Sequence, residues 1–136
     1  MFFKGVDILR EDLEQKLMND FPFMQARNAW TGEKLGFPIG CSCGDGWFNL
    51  IYDLCSKIQK ILDNEAPEFV KGFFPVQIKE KYAGLRFYTT YGNDEIFELT
   101  NKAEDKSYEV CEICGSPGSV RGTGWIYTRC DKCYKS

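Results

Sequence analysis

Two Cys-x-x-Cys pairs near the end of the sequence constrain the fold of this chain more than any other feature. Fifteen residues separate the first pair from the second. This spacing is a recognised zinc signature, because each Cys-x-x-Cys turn lets two thiolates converge on one ion about 2.3 Å away. Turn residues around 122–124 and β-favouring residues at 125–128 predict a short hairpin between the pairs. We therefore expect a zinc ribbon whose ligands are Cys111, Cys114, Cys130 and Cys133, with free or disulfide-linked cysteines as the alternative.

The predicted zinc ion is structural rather than catalytic, since four cysteines fill a tetrahedral site and leave no position for water. The sequence contains no histidine, which removes histidine-based acid–base catalysis and histidine-assisted nucleophiles. Cys43 lies just before a predicted helix, where the helix dipole lowers a thiol pKa. A reactive thiol or an incomplete second metal site is conceivable there, but a small buried side chain is the simpler interpretation. We predict that the chain is not an enzyme, and the sequence assigns no role to Cys41 or Cys43.

The length of 136 residues and the 43% hydrophobic content suit a single α+β domain. We expect residues 1–110 to form a small core of helices and a β-hairpin, with the four-cysteine zinc ribbon of residues 111–136 docked on it. Seven cysteines and no signal-peptide pattern point to a reducing compartment. No stretch approaches the roughly 20 apolar residues of a membrane span. The expected location is therefore the cytoplasm.

Three helices and one hairpin are predicted in the core. Residues 7–20 form a helix capped by Asp7, with leucines at four-residue spacing. Residues 45–64 form the central helix, capped by Asp45 and carrying a broad apolar stripe. Residues 75–91 form the hairpin, with a turn at 82–84. Residues 93–109 form the third helix, capped by Asn93 or Asp94, with Ile96, Leu99 and Ala103 facing inward and Phe97 as a further candidate for this face.

The apolar residues of segment 22–44 follow neither a helical nor a strand-like spacing, and the segment is rich in aromatic residues, glycine and proline. A structureless loop of this length is uncommon in a compact domain. We therefore expect the aromatic side chains to pack on the core; a partner-binding loop is the alternative.

The third helix is predicted to present an anionic surface. The formal net charge of the chain is −3, which opposes nonspecific binding to nucleic acid and suits contact with a basic protein surface. An ordinary solvated helix face is the alternative. The candidate partner-binding residues are Asp94, Glu95, Glu98, Glu104, Asp105 and Glu109.

A smaller cationic surface is predicted on the hairpin, with further cations scattered on the ribbon. Such a surface could hold a phosphate backbone and stack a base, although exposed strands often carry cations with no such role. The hairpin residues are Lys79, Lys81, Arg86 and Tyr88.

The order of three motifs resembles that of a group of small phage and prophage proteins. These motifs are Cys-Gly-Asp-Gly-Trp-Phe at 43–48, Lys-Glu-Lys-Tyr-Ala-Gly-Leu-Arg-Phe-Tyr at 79–88, and the cysteine pairs at 111–133. Tyr82 and Ala83 stand where we expect Phe-Gly in that group. Most such proteins have no assigned function. In size, acidity and metal content the chain also resembles a zinc-containing anti-CRISPR inhibitor of type II nucleases.

The second resemblance implies a phage-type inhibitor that acts in the cytoplasm of a bacterial host cell. Such an inhibitor would bind a type II RNA-guided nuclease, or another basic nucleic-acid-handling protein. It would block nucleic-acid binding or cleavage by that partner without catalysing a reaction. It supplies no catalytic residues, and only the four zinc ligands carry over. Direct nucleic-acid binding is not expected of such an inhibitor. A zinc-ribbon module that binds nucleic acid or the transcription machinery is the alternative function.

Overall fold

The computed structural model describes residues 7–135 and confirms the α+β class. Its helices and strands are mixed along the chain, and two single 3-10 turns, Pro22–Met24 and Asp45–Trp47, precede β1 and α2. The helices are α1 (Glu11–Asp20), α2 (Phe48–Leu62), α3 (Pro67–Gly72), α4 (Asp94–Ser107) and α5 (Asp131–Lys135). The strands are β1 (Gln25–Arg27), β2 (Lys34–Pro38), β3 (Cys41–Ser42), β4 (Pro75–Lys81), β5 (Gly84–Thr89), β6 (Ser119–Arg121) and β7 (Tyr127–Arg129).

Helix α2 lies at the centre of the core, as its apolar stripe predicts. Its buried positions recur every three or four residues, so one face of the helix is removed from water. These positions are Ile51, Leu54, Cys55, Ile58 and Leu62. Asp45 does not cap α2, contrary to the prediction, because the 3-10 turn intervenes and the Asp45 carboxylate instead accepts the backbone N–H of Arg10 at 2.9 Å.

Helix α1 begins later than its sequence pattern predicts, and the predicted cap at Asp7 is wrong. The residues before it are held in an extended conformation, since the Leu9 N–H donates to the Cys41 carbonyl at 3.0 Å. Arg10 occupies the N-cap position without a side-chain cap. The predicted inward residues Leu9, Leu17 and Phe21 are buried.

The hairpin β4–β5 is confirmed. It belongs to a three-stranded sheet of order β3-β4-β5, in which β4 is the central strand and β3 is parallel to it. Tyr82 and Ala83 form its two-residue turn with φ angles of 51° and 72°, as a type I′ turn requires. Ile78, Leu85 and Phe87 face the core. The alternation of Val76 with Ile78 in the first strand predicts that both face the core, but Val76 is exposed because the register shifts between Pro75 and Gln77.

Residues 22–44 contain structure that the sequence pattern does not predict. Strands β1 and β2 form an antiparallel hairpin, and β3 follows. Phe23 and Met24 pack in the core as expected, whereas Phe37 is exposed and Trp30 at the hairpin tip is 94% exposed. The aromatic residues of this segment therefore divide between core and surface.

Helix α4 packs against α2 and β5. Its predicted cap is confirmed, since the Asn93 side chain accepts the Ile96 N–H at 2.9 Å. Ile96 and Ala103 are buried and Leu99 is partly buried, but Phe97 points outward and is half-exposed. Within residues 7–135, no helix has the length and apolar character needed to cross a membrane.

Candidate metal centre

The four cysteines of the two Cys-x-x-Cys pairs meet at one point. The sulfur atoms of Cys111, Cys114, Cys130 and Cys133 all lie within 4.8 Å of one another. The Cys114 and Cys130 sulfurs are 3.7 Å apart. A tetrahedron with metal–sulfur bonds of about 2.3 Å has sulfur–sulfur edges of about 3.8 Å. The sulfur positions therefore suit a single metal ion with four thiolate ligands.

Backbone hydrogen bonds shape each Cys-x-x-Cys turn. In the first turn the Gly115 N–H donates to the Cys111 carbonyl at 2.9 Å, and Gly115 has a φ of 83°, which favours glycine. In the second turn the Cys133 N–H donates to the Cys130 sulfur at 3.4 Å. Helix α5 begins directly after Cys130 and fixes the position of Cys133. Each turn therefore holds its two sulfurs on the same side of the backbone.

The electrostatics of the cluster favour a bound cation. Hydrogen bonds from Ser116 lower the pKa of Cys114 to about 6, so this thiol ionises readily. The pKa of Cys133 is raised to about 12, mainly because its thiol hydrogen-bonds to Cys130. Four sulfurs this close cannot all carry negative charge without a neutralising ion, and metal binding supplies that charge.

The first turn is built into the core through Glu112, which follows Cys111. The Gly46 N–H donates to the Glu112 carbonyl at 2.8 Å, and the Gly44 N–H donates to the Glu112 carboxylate at 2.9 Å. Glu112 is buried, and desolvation raises its pKa to about 7. A Cβ atom on Gly46 would overlap the Cys111 carbonyl, and one on Gly44 would overlap the Glu112 carbonyl. Both glycines are therefore required for the close approach of the two backbones.

Two further contacts join the metal centre to the rest of the chain. The Trp47 indole N–H donates to the Val110 carbonyl at 2.8 Å, next to the first ligand. The Thr128 hydroxyl of β7 donates to the Ala83 carbonyl in the β4–β5 turn at 2.8 Å, and Thr128 is buried. The motifs at 43–48 and 79–88 thus both contact the ribbon.

Sequence reasoning missed four residues of this supporting structure: Gly44, Gly46, Glu112 and Thr128. The Gly-x-Gly spacing at 44–46 was the available signal, since paired glycines often mark a close backbone approach. Glu112 and Thr128 carried no such signal, because only the fold shows that they are buried.

Cys43 and Cys41 belong to the core. Cys43 is fully buried, and burial raises its pKa well above the usual range, whereas activation by a helix dipole would lower it. Burial likewise raises the pKa of Cys41 to about 12. Neither residue is part of the four-sulfur cluster in the part of the chain that is described. Both behave as small apolar side chains.

The predicted acidic surface on α4 is smaller than the sequence indicates. Glu104 lies 2.5 Å from the Arg86 guanidinium and accepts a hydrogen bond from the Tyr108 hydroxyl at 3.1 Å. It therefore belongs to a partly buried ion pair and is not available to a partner. Glu98 forms an exposed pair with Lys102 at 3.0 Å. The other predicted acids remain exposed, namely Asp94, Glu95, Asp105 and Glu109.

The predicted cationic surface is also reduced by these contacts. Arg86 is neutralised by Glu104, and Arg121 on β6 pairs with Asp131. Arg129 lies over the Tyr127 ring, 4.2 Å from its centroid. Lys79 and Lys81 on β4 remain as cations without an ion pair among residues 7–135.

Comparison with known proteins gives no match to a family model, a curated protein or a solved structure. The resemblance to phage zinc-ribbon and anti-CRISPR proteins therefore stays a prediction, and function has to be inferred from the geometry of the chain.

Proposed function

We propose that the chain is a non-catalytic, zinc-stabilised inhibitor that binds a type II RNA-guided nuclease and occupies a basic surface meant for nucleic acid. The observation that carries this proposal is the exposed acidic face of α4. In a bacterial cell carrying such a nuclease, a phage protein of this kind would act in the cytoplasm. Another basic nucleic-acid-handling protein is the broader class of partner.

Zinc is the metal we assign to the four cysteines. Thiolate ligands in a tetrahedral arrangement suit zinc or iron, and a four-cysteine zinc site is structural. Metal analysis of the purified protein should give one zinc per chain and a colourless solution. One iron per chain with visible absorbance would overturn the assignment to zinc while leaving the four-cysteine site intact.

The acidic face is opposite the buried face of α4. Helical geometry places Glu98 and Asp105 within one narrow sector, while Ile96 and Ala103 point into the core. Glu109 follows in the turn after the end of α4. All three acids are exposed. The acidic side chains can therefore reach a partner without any change in core packing, and a basic groove would attract them.

The test is co-elution on size exclusion with a guide-loaded type II nuclease. The triple variant E98K/D105K/E109K should lose co-elution and inhibition of cleavage. This set leaves Glu104 intact, because its loss would break the ion pair with Arg86. It also leaves Asp94 and Glu95 unchanged, because negative charge in the first turn of α4 stabilises the helix.

The matched control carries the same change in charge at exposed acids elsewhere. The variant E33K/D53K/D63K changes exposed residues outside α4 and outside the first turn of any helix, and it should still bind. Asp53 pairs with Lys57 on the surface of α2, as Glu98 pairs with Lys102 on α4. If the α4 variant inhibits as well as the parent, the acidic-face mechanism is wrong. If the parent does not co-elute with the nuclease, the proposed partner is wrong.

A zinc-ribbon nucleic-acid-binding module is the second candidate. Lys79 and Lys81 on β4 form no ion pair among residues 7–135, and on the neighbouring ribbon Arg129 lies over the Tyr127 ring, 4.2 Å from its centroid. Such surfaces can contact phosphates and stack bases. The variant K79A/K81A should then weaken binding of a single-stranded oligonucleotide at low salt. Absence of a mobility shift for the parent protein would dispose of this candidate.

A further inference from the structure

A groove between the β4–β5 turn and the β6–β7 hairpin carries two exposed aromatic rings and one carboxylate. Its volume is about 340 Å³ and it is lined by Glu80, Tyr82, Gly124, Trp125 and Ile126. The exposed fraction is 70% for Tyr82 and 73% for Trp125. Large aromatic side chains exposed side by side around a concave surface commonly mark a binding site.

The backbone holds both rings out of the core. Tyr82 has a φ of 51°, in a turn position that favours glycine or asparagine. A tyrosine there strains the backbone, and because its side chain is exposed, burial in the core does not offset that strain. Trp125 follows Gly124, whose φ is 77°, and its N–H donates to the Thr123 carbonyl at 3.0 Å. Both aromatic residues are thus fixed on tight turns at the rim of the groove.

The charge of the groove determines what it can bind. Among the described residues that line the groove, Glu80 is the only charged one, and the Ala83 N–H donates to its carboxylate at 2.8 Å, which fixes its position. No salt bridge occupies Glu80 in the described part of the chain. Lys81 follows Glu80 on β4, and its ammonium lies 5.7 Å from the Tyr82 ring centroid. A groove that combines a carboxylate with two aromatic side chains attracts a cation and repels a phosphate.

We infer that this groove binds an arginine or lysine side chain of a basic polypeptide, with Tyr82 and Trp125 contacting the cation and Glu80 accepting its hydrogen bonds. Guanidinium groups stack on aromatic faces and pair with carboxylates, so arginine is the preferred guest. The groove is larger than one guanidinium group, which leaves room for the peptide backbone on either side. This inference rests on the basic partner of the proposed function and adds a second contact, separate from the acidic face of α4.

The test uses a peptide instead of the nuclease, so that failure of the groove and failure of the proposed partner can be told apart. The indole N–H resonances of the zinc-loaded, ¹⁵N-labelled protein are followed by NMR during titration. The probe is acetyl-Gly-Arg-Gly-Arg-Gly-amide, and its matched control replaces both arginines by citrulline, which has the same shape without the charge. The resonance of Trp125 is assigned from W125F, and those of the exposed Trp30 and the buried Trp47 serve as internal references.

The arginine peptide should shift the Trp125 resonance saturably, whereas the citrulline peptide should leave it in place. E80Q keeps the acceptor for the Ala83 N–H but removes the negative charge, so it should lower the affinity for the arginine peptide about tenfold. The matched variant E33Q, at an exposed acid in the β1–β2 loop, should bind like the parent. Equal shifts from both peptides, no shift from either, or a shift of Trp125 only with oligo(dT) would each overturn the inference, the last in favour of base stacking.

Discussion

The carboxylate of Glu112 accepts a hydrogen bond from the backbone N–H of Gly44, 68 positions earlier in the sequence. This contact lies beside the first metal ligand on one side and the start of α2 on the other. The metal centre is therefore attached to the central helix of the core by a buried hydrogen bond. Changes at this junction should affect metal binding and core stability together.

Replacing Gly46 with alanine should destabilise the protein by about 2 kcal/mol or more. The added Cβ would overlap the Cys111 carbonyl, so the first Cys-x-x-Cys turn must move away from α2. Urea denaturation followed by tryptophan fluorescence measures the effect. G40A is the matched control, since its Cβ would meet only a Glu14 oxygen at an ordinary 3.9 Å. Equal stability of the two variants would contradict the tight junction.

Thiol labelling should divide the seven cysteines into two classes. With metal bound, N-ethylmaleimide should react slowly with every cysteine. After chelation Cys114, Cys130 and Cys133 should react, because they are exposed or half-buried. Cys41, Cys43 and Cys55 should stay protected because they are buried and burial raises their pKa, and Cys111 should stay protected because it is buried against the core. Mass spectrometry counts the labels. Three labels after chelation and seven after unfolding are expected; rapid labelling of Cys43 in the native protein would reopen the reactive-thiol hypothesis.

The Arg86–Glu104 pair should contribute more to stability than the other ion pair on α4. Its side chains are 20% and 29% exposed, against 70% and 65% for Lys102 and Glu98. A double-mutant cycle with alanine should give a coupling energy of about 1 kcal/mol for the first pair and about 0.3 kcal/mol for the second. Equal coupling energies would mean that solvent screens both pairs alike, and Glu104 would return to the candidate partner surface.

Glu14 should titrate above the usual pKa of a glutamate. Desolvation is the main cause and the charge of Glu11 adds to it, although the Cys41 N–H donates to the Glu14 carboxylate at 2.7 Å and favours the ionised form. Because the folded-state pKa is raised, Glu14 contributes stability at low pH and loses it as pH rises through that pKa. The ¹³C shift of its carboxyl group reports the midpoint directly.

The variant E14Q checks the sign of this effect. Glutamine keeps an acceptor for the Cys41 N–H but cannot ionise, so its stability relative to the parent should increase from acidic to neutral pH. A stability difference that falls over the same range would show that the hydrogen bond outweighs desolvation.

Features set by local spacing could be predicted from the sequence. The two Cys-x-x-Cys pairs, the apolar stripe of α2, the cap at Asn93 and the turn at Tyr82 and Ala83 each depend on residues within a few positions of one another. Each is found where its pattern places it.

Features set by contacts between distant residues could not be predicted. Aspartate is a common helix cap, which is why Asp7 and Asp45 were predicted to cap α1 and α2. In the fold, the extended residues before α1 instead donate backbone hydrogen bonds to the Cys41 carbonyl and the Asp45 carboxylate. In the sequence Glu104 looks like any other acidic residue of a solvated helix, and only the fold shows that it pairs with Arg86. The β1–β2 hairpin was not predicted because both strands are short and neither shows an apolar alternation; β1 is half-buried and β2 is mostly exposed.

The unequal anchoring of the two Cys-x-x-Cys turns has a consequence for how the protein assembles. Cys111 is buried against the core, whereas Cys114 is exposed and Cys130 and Cys133 are half-buried. The folded core can thus present the first turn before any ion arrives, and the second turn closes over the ion afterwards. In an isolated zinc finger the metal nucleates folding. In this chain capture of the ion is expected to be a late event, with the rate set by closure of the last twenty residues or so over a preformed half-site.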